Sequence, residues 1–239
     1  MKILYCDCAR RDYVSVYNKQ IIRSALAEAE IEVLATQDLC RMAVHEREVL
    51  RRFFATGKVA VIACDSRAVK SLLEYCEIDY STMQIDFYNL RTHNPVEILD
   101  ALGIEKSGGE QISFADSSES EQDNWLPWYP VIDRERCTAC GKCFNFCLFG
   151  VYEKDANNQI VVRNPEKCKP ECPACARVCP QGAVIFPKHK EAEINGGAVV
   201  TCAVDDEEND SPATDDMYSL LKKRREMHKI NLFKKDSEK

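Results

Sequence analysis

Along the first hundred positions, apolar residues come in short blocks that alternate between two spacings. Residues 3–6 form a brief β-type run. Over 14–30, Ile21, Ile22, Ala25, Leu26 and Ala29 recur at helical spacing. Residues 31–35 read as a strand. Residues 41–56 read as one helix with Val44, Val49, Leu50, Phe53 and Phe54 on its apolar side and Gly57 as its stop. The continuous apolar run VAVIAC at 59–64 suits a strand buried on both faces of a parallel sheet. Residues 66–76 read as helix and 84–88 as strand. Residues 95–102 read as a short helix opened by Asn94-Pro95 and ended at Gly103. Strands alternating with helices predict a small α/β domain with a parallel sheet over 1–103.

Beyond this point the periodicity fades. Residues 104–124 are rich in Ser, Gly and acids and read as a mobile interdomain linker. The cluster Trp125-Leu126-Pro127-Trp128-Tyr129-Pro130 follows and reads as packing for a small core. Runs at 131–132 and 150–152 are expected to pair as the strands of one half of a second, α+β domain. Runs at 160–162 and 183–186 are expected to serve the other half, since 136–152 and 167–186 form an internal repeat. This second domain spans 125–203, with an added strand at 198–200 and a lone, non-ligating Cys202. The tail at 204–239 is acidic over 205–216 and then basic. Leu220, Leu221, Met227, Ile230 and Phe233 are compatible with a short amphipathic helix there, but a solvated tail is the expectation.

Cysteine changes the picture most. Of fourteen, nine fall in the second domain, eight of them in two runs. Cys137, Cys140, Cys143 and Cys147 are spaced C-x2-C-x2-C-x3-C. Cys168, Cys172, Cys175 and Cys179 are spaced C-x3-C-x2-C-x3-C, followed by Pro180. Three thiolates at such intervals can wrap one face of a [4Fe–4S] cubane from a single tight loop, while the fourth corner needs a cysteine from elsewhere. Structural zinc takes paired knuckles with a longer spacer, and no nearby His completes such a site. A disulfide framework needs an oxidising compartment.

Residues 130–188 resemble the bacterial two-cluster ferredoxin domain. The resemblance implies two [4Fe–4S] clusters with exchanged fourth ligands. One would take Cys137, Cys140, Cys143 and Cys179, the other Cys168, Cys172, Cys175 and Cys147. Two departures stand out. Leu148 occupies a position usually held by Pro, and the additional residue within Lys169-Pro170-Glu171 is expected to loosen the second loop.

The remaining candidates are N-terminal. Cys6 and Cys8 follow the first predicted strand, Cys64 closes the VAVIAC strand, and Cys40 is expected just before a helix. Carboxyl ends of parallel strands are where α/β sheets carry functional residues. The segments CDCARRD (6–12), DLC (38–40), KVAVIACDSR (58–67) and DFYNLR (86–91) resemble, in order and spacing, the N-terminal region of the heterodisulfide reductase A subunit, over about 3–99. That family has Gly where Ala9 stands, and Pro-Arg then His-Glu where this chain has Ser66-Arg67 and then Ala68. The resemblance implies a third iron–sulfur cluster, in which either Cys6 or Cys8 can be spare, or redox thiols, at Cys6, Cys8, Cys40 and Cys64. The alternative is that these are small buried hydrophobes. Cys76 reads as a buried helix residue. No G-x-G-x-x-G joins a strand to a helix, so no FAD or NAD site is expected in this chain.

Composition narrows the class. The 239 residues are 45% hydrophobic and 30% charged, with a net charge of −7. The acidic balance argues against nucleic acid and suits electrostatic docking on redox protein partners, a flavoprotein or another oxidoreductase subunit. The opening MKILYCDCARRD does not read as a signal peptide, and no apolar run reaches membrane-spanning length, so a cytoplasmic location is expected. The chain therefore reads as an electron carrier or electron-transfer subunit, moving one electron at a time, rather than a stand-alone enzyme. The rival is a thiol or heterodisulfide-type reductase whose N-terminal cysteines are fed by the clusters. A weaker alternative is an iron–sulfur regulatory protein acting through its basic tail.

Overall fold

The computed structural model describes residues 1–9, 12–105, 112–115 and 125–197. Its first part is a parallel sheet of β1 (Lys2–Cys6), β2 (Glu32–Thr36), β3 (Val59–Ala63) and β4 (Ile85–Asn89), in the order β2-β1-β3-β4. The two central strands alternate their side chains between two buried faces. Ile3, Tyr5, Ala60 and Ile62 pack under α1 (Val16–Glu28) and α5 (Pro95–Leu102). Leu4, Cys6, Val59, Val61 and Ala63 pack under α2 (Leu39–His45), α3 (Arg47–Phe54) and α4 (Ser66–Tyr75). Burial on both sides is why VAVIA carries no polar residue. Local signals set the helix ends. Ser15 accepts from the Asn18 N–H at the start of α1, and Asn94 accepts from Val96 ahead of Pro95. Gly103 ends α5 in the left-handed region, at φ 68°.

The helix expected over 41–56 is two helices. The chain leaves helical geometry at Glu46, with φ −128° and ψ 34°. An unbroken helix would place Glu46 and Arg47 on the same face as the buried Met42, Ala43 and Leu50. The break lets α3 bury Leu50, Phe53 and Phe54 while Glu46 and Arg47 stay half-buried, Arg47 lying over the Tyr75 ring. Val49, expected inside, is exposed. Cys40 lies within the first turn of α2 rather than ahead of a helix.

The second part holds β5 (Val131–Ile132), α6 (Lys142–Phe146), β6 (Tyr152–Lys154), β7 (Ile160–Val162), a 3-10 turn (Pro165–Lys167), α7 (Ala174–Arg177), β8 (Val184–Ile185) and α8 (Ala192–Asn195). The strand pairing differs from expectation. β5 pairs antiparallel with β8, and β6 with β7. A tight turn explains the inner pair: Asp155 Oδ1 accepts from the Asn157 and Gln159 N–H groups, and Asn158 adopts φ 60°. A local hairpin forms there, which leaves the outermost strands to meet each other.

The two parts pack as one unit, within Met1–Val199, and share a hydrophobic core. The core under α2 and α4 continues into Trp128, Tyr129, Val131 and Ile185. Tyr129 stacks on Trp125 and donates its hydroxyl to the Cys40 carbonyl at 2.6 Å. Arg67 Nε, on α4, meets Asp133 Oδ2 at 2.5 Å. The predicted linker is not a plain spacer. Ile112 and Phe114 pack against the core under α1, and the Ala115 N–H bonds the Ala35 carbonyl at 2.8 Å. The strand expected at 198–200, Cys202 and the tail lie outside the described residues.

Candidate metal centres

Each cysteine run folds into a loop followed by a short helix. Cys137 and Cys140 sit in the first loop, Cys143 in α6, and Cys147 at the residue that ends α6. Cys168 ends the 3-10 turn, Cys175 lies in α7, and Cys179 follows it. In both loops the residue before the second cysteine is left-handed: Ala139 at φ 52° and Glu171 at φ 60°. The additional residue of the second run does not loosen it. The Cys172 N–H bonds the Lys169 carbonyl at 3.2 Å, closing a turn with Pro170 and Glu171 at its two central positions. Pro fits the first of these and a positive φ the second, so the insertion is absorbed as a type II-like turn.

The fourth cysteine of each run crosses over. Cys137, Cys140, Cys143 and Cys179 line one cavity, walled by Ile132, Ile160 and Val184. Cys147, Cys168, Cys172 and Cys175 line a second cavity of about 390 Å³, walled by Pro130, Val151 and Tyr152. These are the two sets that exchanged ligation requires.

The donors fit an iron–sulfur group. Burial pushes the Cys143 thiol up to about 11, and neighbouring Cys179 and Cys137 add to the shift. Burial likewise raises Cys168 and Cys175 to about 12, with the other thiols of their cavity reinforcing it. Thiolate charges so crowded are unfavourable until a cation is shared among them. The buried Tyr152 hydroxyl has no oxygen or nitrogen partner within the protein and stands beside the Cys175 sulfur. An orphaned donor in a cysteine-lined cavity suits a sulfur acceptor. Among the described residues, no three His, Cys, Asp or Glu side chains converge as a single ion would require.

Comparison with known proteins bears on this half of the chain. A 4Fe-4S dicluster domain model matches residues 129–180. A ferredoxin of Methanocaldococcus jannaschii is 34% identical over 71 residues, covering 27% of this chain and 91% of that protein. The chain belongs to the ferredoxin family. A longer ferredoxin of the same organism is 44% identical over 66 residues, which are 27% of this chain and 44% of that relative, so the chain spans less than half its length. The pyruvate synthase subunit PorD of that organism is 29% identical over 68 residues, 28% of this chain and 77% of that subunit. Residues 129–180 are thus an iron–sulfur domain of the ferredoxin type. Among the described residues no helix is long and apolar enough to cross a membrane.

The ferredoxin domain abuts a second group of cysteines. Strand order reverses between β1 and β3, which makes the carboxyl ends of these strands the switch point where open α/β sheets hold ligands. Cys6 ends β1, Cys8 follows in a left-handed conformation at φ 51°, and Cys64 follows β3. Cys40 arrives from α2, which comes directly after β2. The Leu39 N–H donates to Cys6 Sγ at 3.3 Å. Burial raises the Cys6 thiol well above its ordinary value, with the charges of Cys8, Asp38 and Cys64 adding to the shift. Burial raises Cys40 similarly; Lys188 opposes, while Asp38, Cys64 and Cys6 add. Burial pushes Cys64 up to about 11, against the pull of Arg91. Cys6, Cys40 and Cys64 are each shifted by other cysteines of the four, so these residues lie together rather than scattered through the core. Cys76 stays apart from them, buried at the end of α4 with its thiol toward the Ala43 carbonyl.

Two residues of this site escaped the sequence reading. Lys188 and Arg91 come from distant segments, and neither was singled out as a candidate. Their only signal was a cation next to an otherwise apolar run (Lys188 after Ala183–Pro187) and one inside the DFYNLR segment.

Proposed function

We propose that this ferredoxin relays one electron at a time through two [4Fe–4S] clusters. Cys137, Cys140, Cys143 and Cys179 would hold one, and Cys168, Cys172, Cys175 and Cys147 the other. The observation that carries this reading is the partition of eight cysteines between two cavities, each taking three thiols from one run and one from the other. A bound cluster supplies reversible one-electron chemistry with little movement of its ligands. The chain does the rest. Ile132, Ile160, Val184 and Val151 keep water from the cavities, and buried apolar surroundings and hydrogen bonds to sulfur adjust the potential. The Ala183 N–H already donates to Cys179 Sγ at 3.3 Å. Likeness to a pyruvate synthase subunit supports work as the electron-transfer subunit of a larger redox complex, with a flavoprotein or other oxidoreductase as partner, in a reducing cytoplasm.

A second reading concerns the N-terminal part. Its four thiols at the switch point, and its resemblance to the heterodisulfide reductase A N-terminus, support a third iron–sulfur cluster held by Cys6, Cys8, Cys40 and Cys64. Anaerobic purification with iron and sulfide counts, and EPR of the reduced protein, tests both readings. Four irons per cubane predict about eight irons for the ferredoxin clusters and about twelve with the third site filled. Iron-free protein that keeps full electron-transfer activity would refute the relay. About eight irons, with a disulfide-reducing activity lost on Cys6→Ser or Cys64→Ser, would favour the reductase instead.

A further inference from the structure

We infer that Lys188, a ferredoxin-domain residue, completes the N-terminal cysteine site as the fixed positive charge beside the anionic iron–sulfur group held there. This rests on the third-cluster reading. Lys188 lies shortly after β8, and its backbone is locked against the N-terminal part. Tyr13 donates to the Lys188 carbonyl at 2.9 Å, and Arg91 Nη2 donates to the Pro187 carbonyl at 2.7 Å. The residue is only 2% exposed. Its ammonium meets Asp38 Oδ2 at 2.6 Å. Asp38 in turn caps α2, which bears Cys40 in its first turn, and the Leu39 N–H next to Asp38 bonds Cys6 Sγ.

A buried Lys–Asp pair gains little over an apolar substitute, because desolvation of two charges offsets their attraction. Its presence at the cap of the helix that bears Cys40 therefore calls for a further role. Through Asp38 the ammonium is fixed against the first turn of α2, the turn that carries Cys40 and whose Leu39 N–H holds Cys6 Sγ. Arg91 repeats the pattern. It pairs with Asp65 at 3.6 Å, and its buried Nε has no hydrogen-bond partner within the protein. Two buried cations held beside the segments that carry these cysteines suit a group whose negative charge grows when it accepts an electron.

Lys188 is thus a positioning residue for charge, and the sign of its effect is testable. Full-length protein, purified anaerobically, is titrated redox-wise by EPR. Lys188→Gln should move the N-terminal signal to more negative potential, because the reduced state loses its nearest cation. Asp38→Asn should move it the other way. K188Q/D38N, which leaves no buried charge unpaired, should lie between the single variants. Lys188→Arg should stay near wild type. The ferredoxin-cluster signals should not move in any of them. If the N-terminal signal is present but the single variants fail to shift it in opposite directions, or Lys188→Arg shifts it as far as Lys188→Gln, the inference falls while the third cluster stands. If wild type holds about eight irons and shows no N-terminal signal, both fall. Should Lys188→Gln not fold, Asp38→Asn alone decides by the direction of its shift.

Discussion

The ferredoxin domain and the N-terminal domain each gather cysteines, but by opposite routes. In the ferredoxin domain three thiols of each set come from one short loop-and-helix segment, and only the fourth travels. In the N-terminal domain the thiols arrive from the ends of separate parallel strands and from a helix, far apart in sequence. The first kind of site is coded by spacing; the second exists only because a particular strand order lays those ends side by side. The difference also separates their surroundings. The ferredoxin cavities are walled by their own domain's apolar residues, whereas the N-terminal site borrows Lys188 from its neighbour.

The largest expected effect contrasts the two kinds directly. Cys143→Ser or Cys175→Ser should cost one whole cluster, about four irons per chain by iron analysis, because a loop with two remaining thiols cannot hold a cubane corner set. Cys76→Ser, equally buried but outside every site, should cost no iron. Equal iron loss in both would erase the distinction between site and core cysteines. Cys76 sharpens it further through pH. Burial raises its thiol from 9.0 to about 11, so the native state holds a proton that the unfolded chain releases in that window. The contribution is fully present below pH 9 and is lost as pH rises through about 11. Of the stability the apo-chain loses over that range, Cys76 should account for about 2–3 kcal/mol, and Cys76→Ala should make the slope shallower by that share, as read by urea unfolding at stepped pH.

A smaller effect asks whether the two domains are energetically separate. Tyr129→Phe removes the hydroxyl that reaches the Cys40 carbonyl and should cost ~1 kcal/mol. The loss should appear in a single transition shared by far-UV circular dichroism and cluster absorbance. Two separated transitions would mean that the shared core does not couple them. The smallest effect lies in the second loop. Glu171 holds a positive φ that Gly adopts freely, so Glu171→Gly should stabilise the apo-protein by up to ~1 kcal/mol in the same assay.

Much of this molecule was legible before any coordinates. The Cys137–Cys147 and Cys168–Cys179 runs announce their chemistry because ligand spacing is a local property. VAVIAC announces a doubly buried strand because burial on both faces forbids polar residues. Asn94-Pro95 and Gly103 mark a helix because capping is satisfied within a few residues. What the sequence left open depended on contacts between distant segments. The break at Glu46 follows from which face α2 and α3 turn to the core. The pairing of β5 with β8 follows from a hairpin that claims the strands between them. Gathering Cys6, Cys8, Cys40 and Cys64 required the order β2-β1-β3-β4, and bringing Lys188 to Asp38 required the ferredoxin domain to dock on the α2–α4 face. Spacing and burial are written residue by residue along a chain, whereas the partner of a buried charge is chosen only when whole elements pack.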